Sequence, residues 1–177
     1  MLNFNIKIDD KDMFKEVAGK YCAVGIGWYP NQMYEETTEP FYSVYAKPNS
    51  RSKKYPYGRA RRFGKSPARP IASVAAANEY GVPERNVPPR PFMKRTVDGN
   101  ARKWATYVRN ELPKMEPMDL RIMAVRVAGL AINDTKRTID ELMYPPNAPS
   151  TIRNKGFNNP LIDTGTMRDT VTWDYEK

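Results

Sequence analysis

The sequence predicts an α+β domain, with a small, mostly antiparallel sheet packed against two to three helices and long extended arms. Three observations predict it. Stretches alternating apolar and polar with a period of two lie at both ends of the chain and near residue 25. Two long stretches between residues 92 and 143 repeat apolar residues at steps near three and four. Segments 30–70 and 144–160 are rich in proline and can belong to neither kind of element. The 177 residues fit one domain over 1–177, with 30–70 as a basic arm or insertion and 144–160 as a Pro/Asn-rich arm.

Taken in order, Leu2, Phe4, Ile6 and Ile8 share one face of a strand over 2–8. Asp9 or Asp10 can cap a short helix over 11–19 whose apolar side is Met13, Phe14 and Val17. Alternation returns over 21–29, with Cys22, Val24, Ile26 and Trp28 on one face. Gly25 and Gly27 on the other face suggest close packing or a bend. Alanines favour a helix over 71–80, and Gly81 is a natural stop. The proline-rich stretch 82–91 is a connector. A helix follows over 92–112, with Val97, Ala101, Trp104, Ala105 and Val108 near helical spacing, until Pro113 and Pro117 end it. The strongest helical pattern runs over 118–143, through Leu120, Met123, Val127, Leu130, Ala131, Ile139 and Leu142. Gly129 in its middle reads as a place for another element to approach, at some cost in helix propensity. Val171, Trp173 and Tyr175 mark a closing strand over 170–176. No internal repeat is present.

Composition narrows the function classes. Hydrophobic residues make up 40% of the chain, enough for one modest core, and no run of about 20 apolar residues exists to span a membrane. The amino terminus lacks the charged-then-apolar layout of a secretion signal. One cysteine, Cys22, excludes an internal disulfide and is most simply a small core residue. The absence of histidine excludes Ser-His-Asp and Cys-His catalysis, a histidine proton shuttle and a Cys/His zinc site. An enzyme would have to work with carboxylates, lysines or hydroxyls.

Charge is placed unevenly. The formal net charge is +9, and the excess lies in Lys47, Arg51, Lys53, Lys54, Arg59, Arg61, Arg62, Lys65 and Arg69, with no acidic residue among them. Tyr55, Tyr57 and Phe63 are interleaved with these bases. Such a segment suits a polyanion, because Lys and Arg neutralise phosphates while rings stack. It equally suits a solvated loop, or an arm ordered against a neighbouring subunit on assembly.

Candidate catalytic groups have ordinary explanations. Asp9, Asp10 and Asp12 sit at a helix start, where carboxylates cap free N–H groups. Glu35, Glu36 and Glu39 lack the spacing of an oxygen-ligand metal loop. Asp134, Asp140 and Glu141, with Lys136 and Arg137 nearby, read as surface pairing on a helix. Gly25-Ile26-Gly27 lacks the third glycine and following helix of a phosphate loop. The expectation is therefore no enzyme, no cofactor and no metal.

Three blocks carry a family resemblance. The first is Ile71-Ala72-Ser73-Val74-Ala75-Ala76-Ala77-Asn78-Glu79-Tyr80-Gly81, then Val87-Pro88-Pro89-Arg90-Pro91-Phe92-Met93. The second is Tyr144-Pro145-Pro146-Asn147-Ala148-Pro149-Ser150-Thr151-Ile152, with Lys155-Gly156 just beyond. The third is Pro160-Leu161-Ile162-Asp163-Thr164-Gly165-Thr166-Met167-Arg168-Asp169-Thr170-Val171. In this order they resemble the neck and tail-completion proteins of tailed bacteriophages. That group includes relatives of the tenth gene product of the lambdoid phage HK97 and the Mu-type virion-morphogenesis proteins. The resemblance covers roughly residues 71–100 and 118–175, over half the chain. Residues 30–70 match nothing in it, so no role for the basic arm comes from it.

The resemblance implies a structural virion protein, made in the host bacterial cytoplasm, that forms a ring at the head–tail junction, with no catalysis and no cofactor. Its partners would be further copies of itself, portal-side connector proteins, tail-tube or tail-terminator proteins, and packaged DNA, with no membrane. About six copies would match a tail tube and about twelve a portal-side connector; six is the expectation. Glu79 and Tyr80 end a helix and can stand at a subunit boundary, while Arg90 and Phe92 have the Arg-plus-aromatic composition of interface centres. Each also has an intramolecular reading, with Phe92 in its own core. Asp163-Thr164-Gly165 reads as a turn in which Thr164 or Thr166 caps the next segment. The alternatives are an independent nucleic-acid-binding protein using the basic arm, and a tail-terminator or minor tail protein.

Overall fold

A computed structural model describes residues 2–4, 22–34, 41–43, 61–63, 68–115 and 119–175. The chain is α+β. Strands β1 (Leu2–Phe4), β2 (Val24–Gly27), β3 (Met33–Tyr34), β4 (Phe41–Ser43), β5 (Arg61–Phe63) and β6 (Arg69–Pro70) come first. Helices α1 (Ile71–Tyr80), α2 (Phe92–Glu111), α3 (Leu120–Glu141), α4 (Pro149–Lys155) and α5 (Thr166–Asp169) follow, and β7 (Thr172–Tyr175) closes the chain.

The two ends and the stretch near residue 25 form one antiparallel sheet in the order β1-β2-β7. Ile26 stands opposite Leu2 on one side and Trp173 on the other. Val24 packs on Ala124 and Ala128 of α3, whose small side chains let the sheet approach the helix closely. Cys22 is a half-buried free thiol against the same patch, and burial pushes its pKa up. The proposed helix over 11–19, with Asp9, Asp10 and Asp12, lies outside the described residues, as do Glu35, Glu36 and Glu39.

Helices α2 and α3 supply most of the core, with Phe92, Leu112, Met123 and Ile139 essentially inaccessible beside Ile26 and Ile71. The buried row of α2 is Phe92, Met93, Thr96, Trp104 and Val108, so Ala101 and Ala105, expected inside, are exposed. Thr96 takes a core position because its hydroxyl donates to the Phe92 carbonyl at 2.8 Å and leaves only a methyl to pack. Thr135 of α3 does the same toward Ala131 at 2.7 Å. Asp119 caps α3, accepting from the Arg121 and Ile122 backbone N–H groups, and so the helix starts at Leu120. Gly129 is not a packing point: it is exposed, and an added Cβ would meet nothing within 4 Å.

Within segment 30–70 the described residues pair as short strands. Tyr34 pairs with Arg69, and Phe41 pairs with Phe63, Tyr42 with Arg62 and Ser43 with Arg61. Both pairings are antiparallel, and in sequence the pair of Phe41–Ser43 with Arg61–Phe63 lies inside that of Met33–Tyr34 with Arg69–Pro70. Gln32 ties the start of this segment to the body. Its carbonyl accepts from Ile71 N, its side-chain oxygen from Tyr29 N, and its amide donates to the Thr170 carbonyl at 2.8 Å.

Candidate assembly surface

The first block folds into a tight return. Helix α1 ends at Gly81, whose φ of 76° is left-handed and whose absent Cβ would stand 2.8 Å from Pro89 N and 2.9 Å from the Val87 carbonyl. Glycine is required there twice over. Val82 and Val87 then exchange backbone hydrogen bonds around a 3₁₀ turn over Pro83–Arg85. This turn brings Arg90 beside Asn78, and Arg90 N donates to the Asn78 carbonyl at 2.6 Å. Pro91 at the start of α2 offers no side-chain acceptor, so Glu79 caps that helix from a distance. Its carboxylate accepts from Met93 N at 2.8 Å and Lys94 N at 3.0 Å.

Arg90 is the hub of the second block. It is only 6% exposed, and burial pushes its guanidinium pKa down. No carboxylate faces it among the described residues. Instead Nε donates to the Pro145 carbonyl at 3.0 Å and Nη2 to the Pro146 carbonyl at 3.2 Å, with Nη1 3.4 Å from Asn78 Oδ1. The planar fork thus spans two successive carbonyls and the end of α1.

Asparagines join the second block to the third. Asn147 donates to the Asn159 carbonyl and also accepts the company of Asn158, whose Oδ1 takes the Asn147 N–H at 3.1 Å. Asn159 is buried. Its amide donates to the Asp140 carbonyl, and its oxygen accepts from Leu161 N and Ile162 N. The segment 144–160 is therefore folded back on the body and contains α4, a helix that the proline-rich sequence conceals. Thr164 accepts from Thr166 N at 3.3 Å, after which Gly165 turns into α5 with a φ of 85°. The third block closes on the first: Trp28 donates to the Met167 carbonyl at 2.8 Å and meets Phe92 edge to face at 5.8 Å.

The residues named from sequence separate into three groups. Phe92 and Arg90 are engaged within the chain, Phe92 at 0% exposure, which is the intramolecular of their two readings. Glu79 is a helix cap, and only Tyr80, 78% exposed, presents itself outward. Of the basic arm, Arg69 is exposed on β6 and Arg61 and Arg62 lie on β5; Lys47, Arg51, Lys53, Lys54, Arg59 and Lys65 lie outside the described residues. Beside Tyr80, a pocket of about 120 Å³ opens between β2 and α1, lined by Trp28, Ala72, Ala76 and Glu79. Tyr144, Met143 and Phe157 are also exposed, on the segments that Arg90 and the asparagines draw together.

Asp134 makes the expected pair with Arg137 along α3, but its carboxylate is buried rather than on the surface. It is 3% exposed and accepts from Trp104 Nε1 at 2.9 Å, from Lys103 Nζ at 2.9 Å on both oxygens, and from Arg137. Lys136, expected as its neighbour, takes no part in this set. Asp140 instead reaches Arg168 of α5 at 3.2 Å. Among the described residues no helix is long and apolar enough to cross a membrane, and no group of His, Cys, Asp or Glu could hold a metal ion. No family model, curated protein or solved structure matches the chain.

Proposed function

We propose that this chain is a structural protein of the bacteriophage neck, forming a ring of about six copies that completes the tail and joins it to the portal-side connector. It acts by binding, without catalysis or cofactor, and resides in the virion. The observation that supports the reading is that the three family-like blocks, separated in sequence, are tied together, the first to the second through Arg90 and the third to both through Asn159 and Trp28.

That arrangement leaves Tyr80, Met143, Tyr144 and Phe157 exposed at 78%, 52%, 80% and 41%. Exposed large apolar side chains, aromatic ones above all, are the common anchors of interaction surfaces. The occupant under this reading is a second copy, because a closed ring needs a surface that meets the next subunit. Under this reading the basic residues of 30–70 face DNA in the channel or the acidic surface of a neighbouring ring. Replacing Tyr80 and Tyr144 together by serine is expected to leave the melting temperature within about 2 °C of the parent, since neither side chain is buried. The same variant should fail to form rings by native mass spectrometry and fail to join heads to tails. Full ring assembly by a folded Y80S/Y144S chain would remove this surface from the account.

A further inference from the structure

The outer face of α2 carries Arg95, Arg102 and Arg109, each seven residues from the next and each exposed. Seven residues is nearly two full turns, so the three side chains form one row at intervals of about 10.5 Å over about 21 Å. Both carboxylates of α2 are already occupied, Asp98 by Lys94 and Glu111 by Lys114. The remaining cation near this face, Lys103, is held by Asp134. The three arginines make no ion pair among the described residues. Between them on the outer side stand Asp98, whose carboxylate is engaged by Lys94, and the small residues Gly99, Ala105 and Thr106. Gly99 is unexplained by internal packing, because an added Cβ there would meet nothing within 4 Å, and glycine in a helix interior costs about 1 kcal/mol relative to alanine.

We infer that this face of α2 binds the phosphate backbone of duplex DNA, as a surface separate from the basic arm. The chemistry of the row favours nucleic acid over an acidic protein. Protein interfaces depend on apolar or aromatic anchors, and the exposed large apolar side chains of the described residues, such as Tyr80, Ile122 and Tyr144, all lie off α2. Interfaces with DNA are polar and strongly positive, which is the character of this face. The row favours a duplex over a single strand for a related reason. Single strands are held by exposed rings on which bases stack, whereas Trp104 is buried and Tyr107 half-buried. From Arg102 to Arg109 only Ala105 and Thr106 intervene on the outer side, so a phosphate backbone can come close to the helix there, while Lys94 neutralises the Asp98 carboxylate next to Arg95. The inference does not depend on the ring, because the free chain displays this face.

The test compares binding of the full chain to a 30-base-pair duplex across salt concentrations, for the parent, R95Q/R102Q/R109Q, and R95K/R102K/R109K. A second pair of chains carries glutamine at the nine basic positions between 47 and 69, with and without the helix substitutions, so that the arm cannot mask the helix. Each phosphate contact contributes about 0.9 to the slope of log K against log salt, so the Gln triple should lower the slope by about 2.7 and weaken binding at 0.1 M salt on the order of 10²-fold. The Lys triple should restore most of the slope. Unfolding curves of the parent and both helix variants should superimpose, since the three arginine side chains make no ion pair or hydrogen bond among the described residues. An unchanged slope in the Gln triple, in both backgrounds, would overturn the inference. So would a variant that keeps its DNA affinity while losing affinity for polyglutamate, which would assign the row to an acidic protein.

Discussion

Arg90→Ala is expected to lower the unfolding free energy by about 2–4 kcal/mol, from the loss of charge-assisted hydrogen bonds at a buried site and the cavity it leaves. The side chain is inaccessible, and three acceptors, the carbonyls of Pro145 and Pro146 and the Asn78 side chain, converge on it. Its removal leaves two carbonyls without a donor and a cavity the size of a guanidinium. Arg90→Lys should recover little, because one ammonium cannot reach carbonyls that lie along two sides of a planar fork. Denaturant unfolding gives the size of the effect. Hydrogen exchange should place the early loss of protection in 144–160, the segment that Arg90 holds to the body. A loss below about 1 kcal/mol, or uniform loss of protection, would contradict the assignment of Arg90 as the hub.

The second large effect is expected at Asp134. Asp134→Ala removes a buried carboxylate that joins α2 to α3 and accepts from the Trp104 indole N–H at 2.9 Å. A cost of about 2–4 kcal/mol follows from the lost hydrogen bonds to a charged acceptor. Lys103→Ala should cost less than about 1 kcal/mol, since Lys103 is 52% exposed and its charge is screened by water. The contrast between the two variants, measured by the same unfolding curves, separates a buried anchor from a surface pair. Equal and small effects would return Asp134 to the surface role that sequence spacing suggests.

Periodicity was a good guide where one face of an element meets the core. The α1 boundaries and the existence of strands at both chain ends and near residue 25 follow from spacing and from Gly81, while the order that puts β2 between the end strands is seen only in the structure. It failed where a polar residue is buried through a local bond. Thr96 and Thr135 hide their hydroxyls on the preceding turn, so they pack as apolar residues while reading as surface ones. Asp134 read as a surface residue for a different reason: its donor Trp104 is 30 residues away, and no local pattern announces it. The same holds for Gln32 and Asn159, whose partners Thr170 and Asp140 are distant in sequence. Helix α4 was concealed because proline density argues against a helix, yet Pro149 stands in its first turn, where no amide hydrogen bond is lost. Of the assembly residues, motif reading selected Glu79, Tyr80, Arg90 and Phe92 as one group. Burial divides them, since a motif marks which residues matter together and not whether their partner is the same chain.

The central claim, a ring at the phage neck, is tested most directly by counting this chain in purified particles. Quantitative mass spectrometry against the major capsid protein supplies the count. The account predicts about six copies per particle, the number a tail-side ring requires. Absence from mature particles would contradict it and leave the charged surfaces as those of an assembly factor or a free DNA-binding protein.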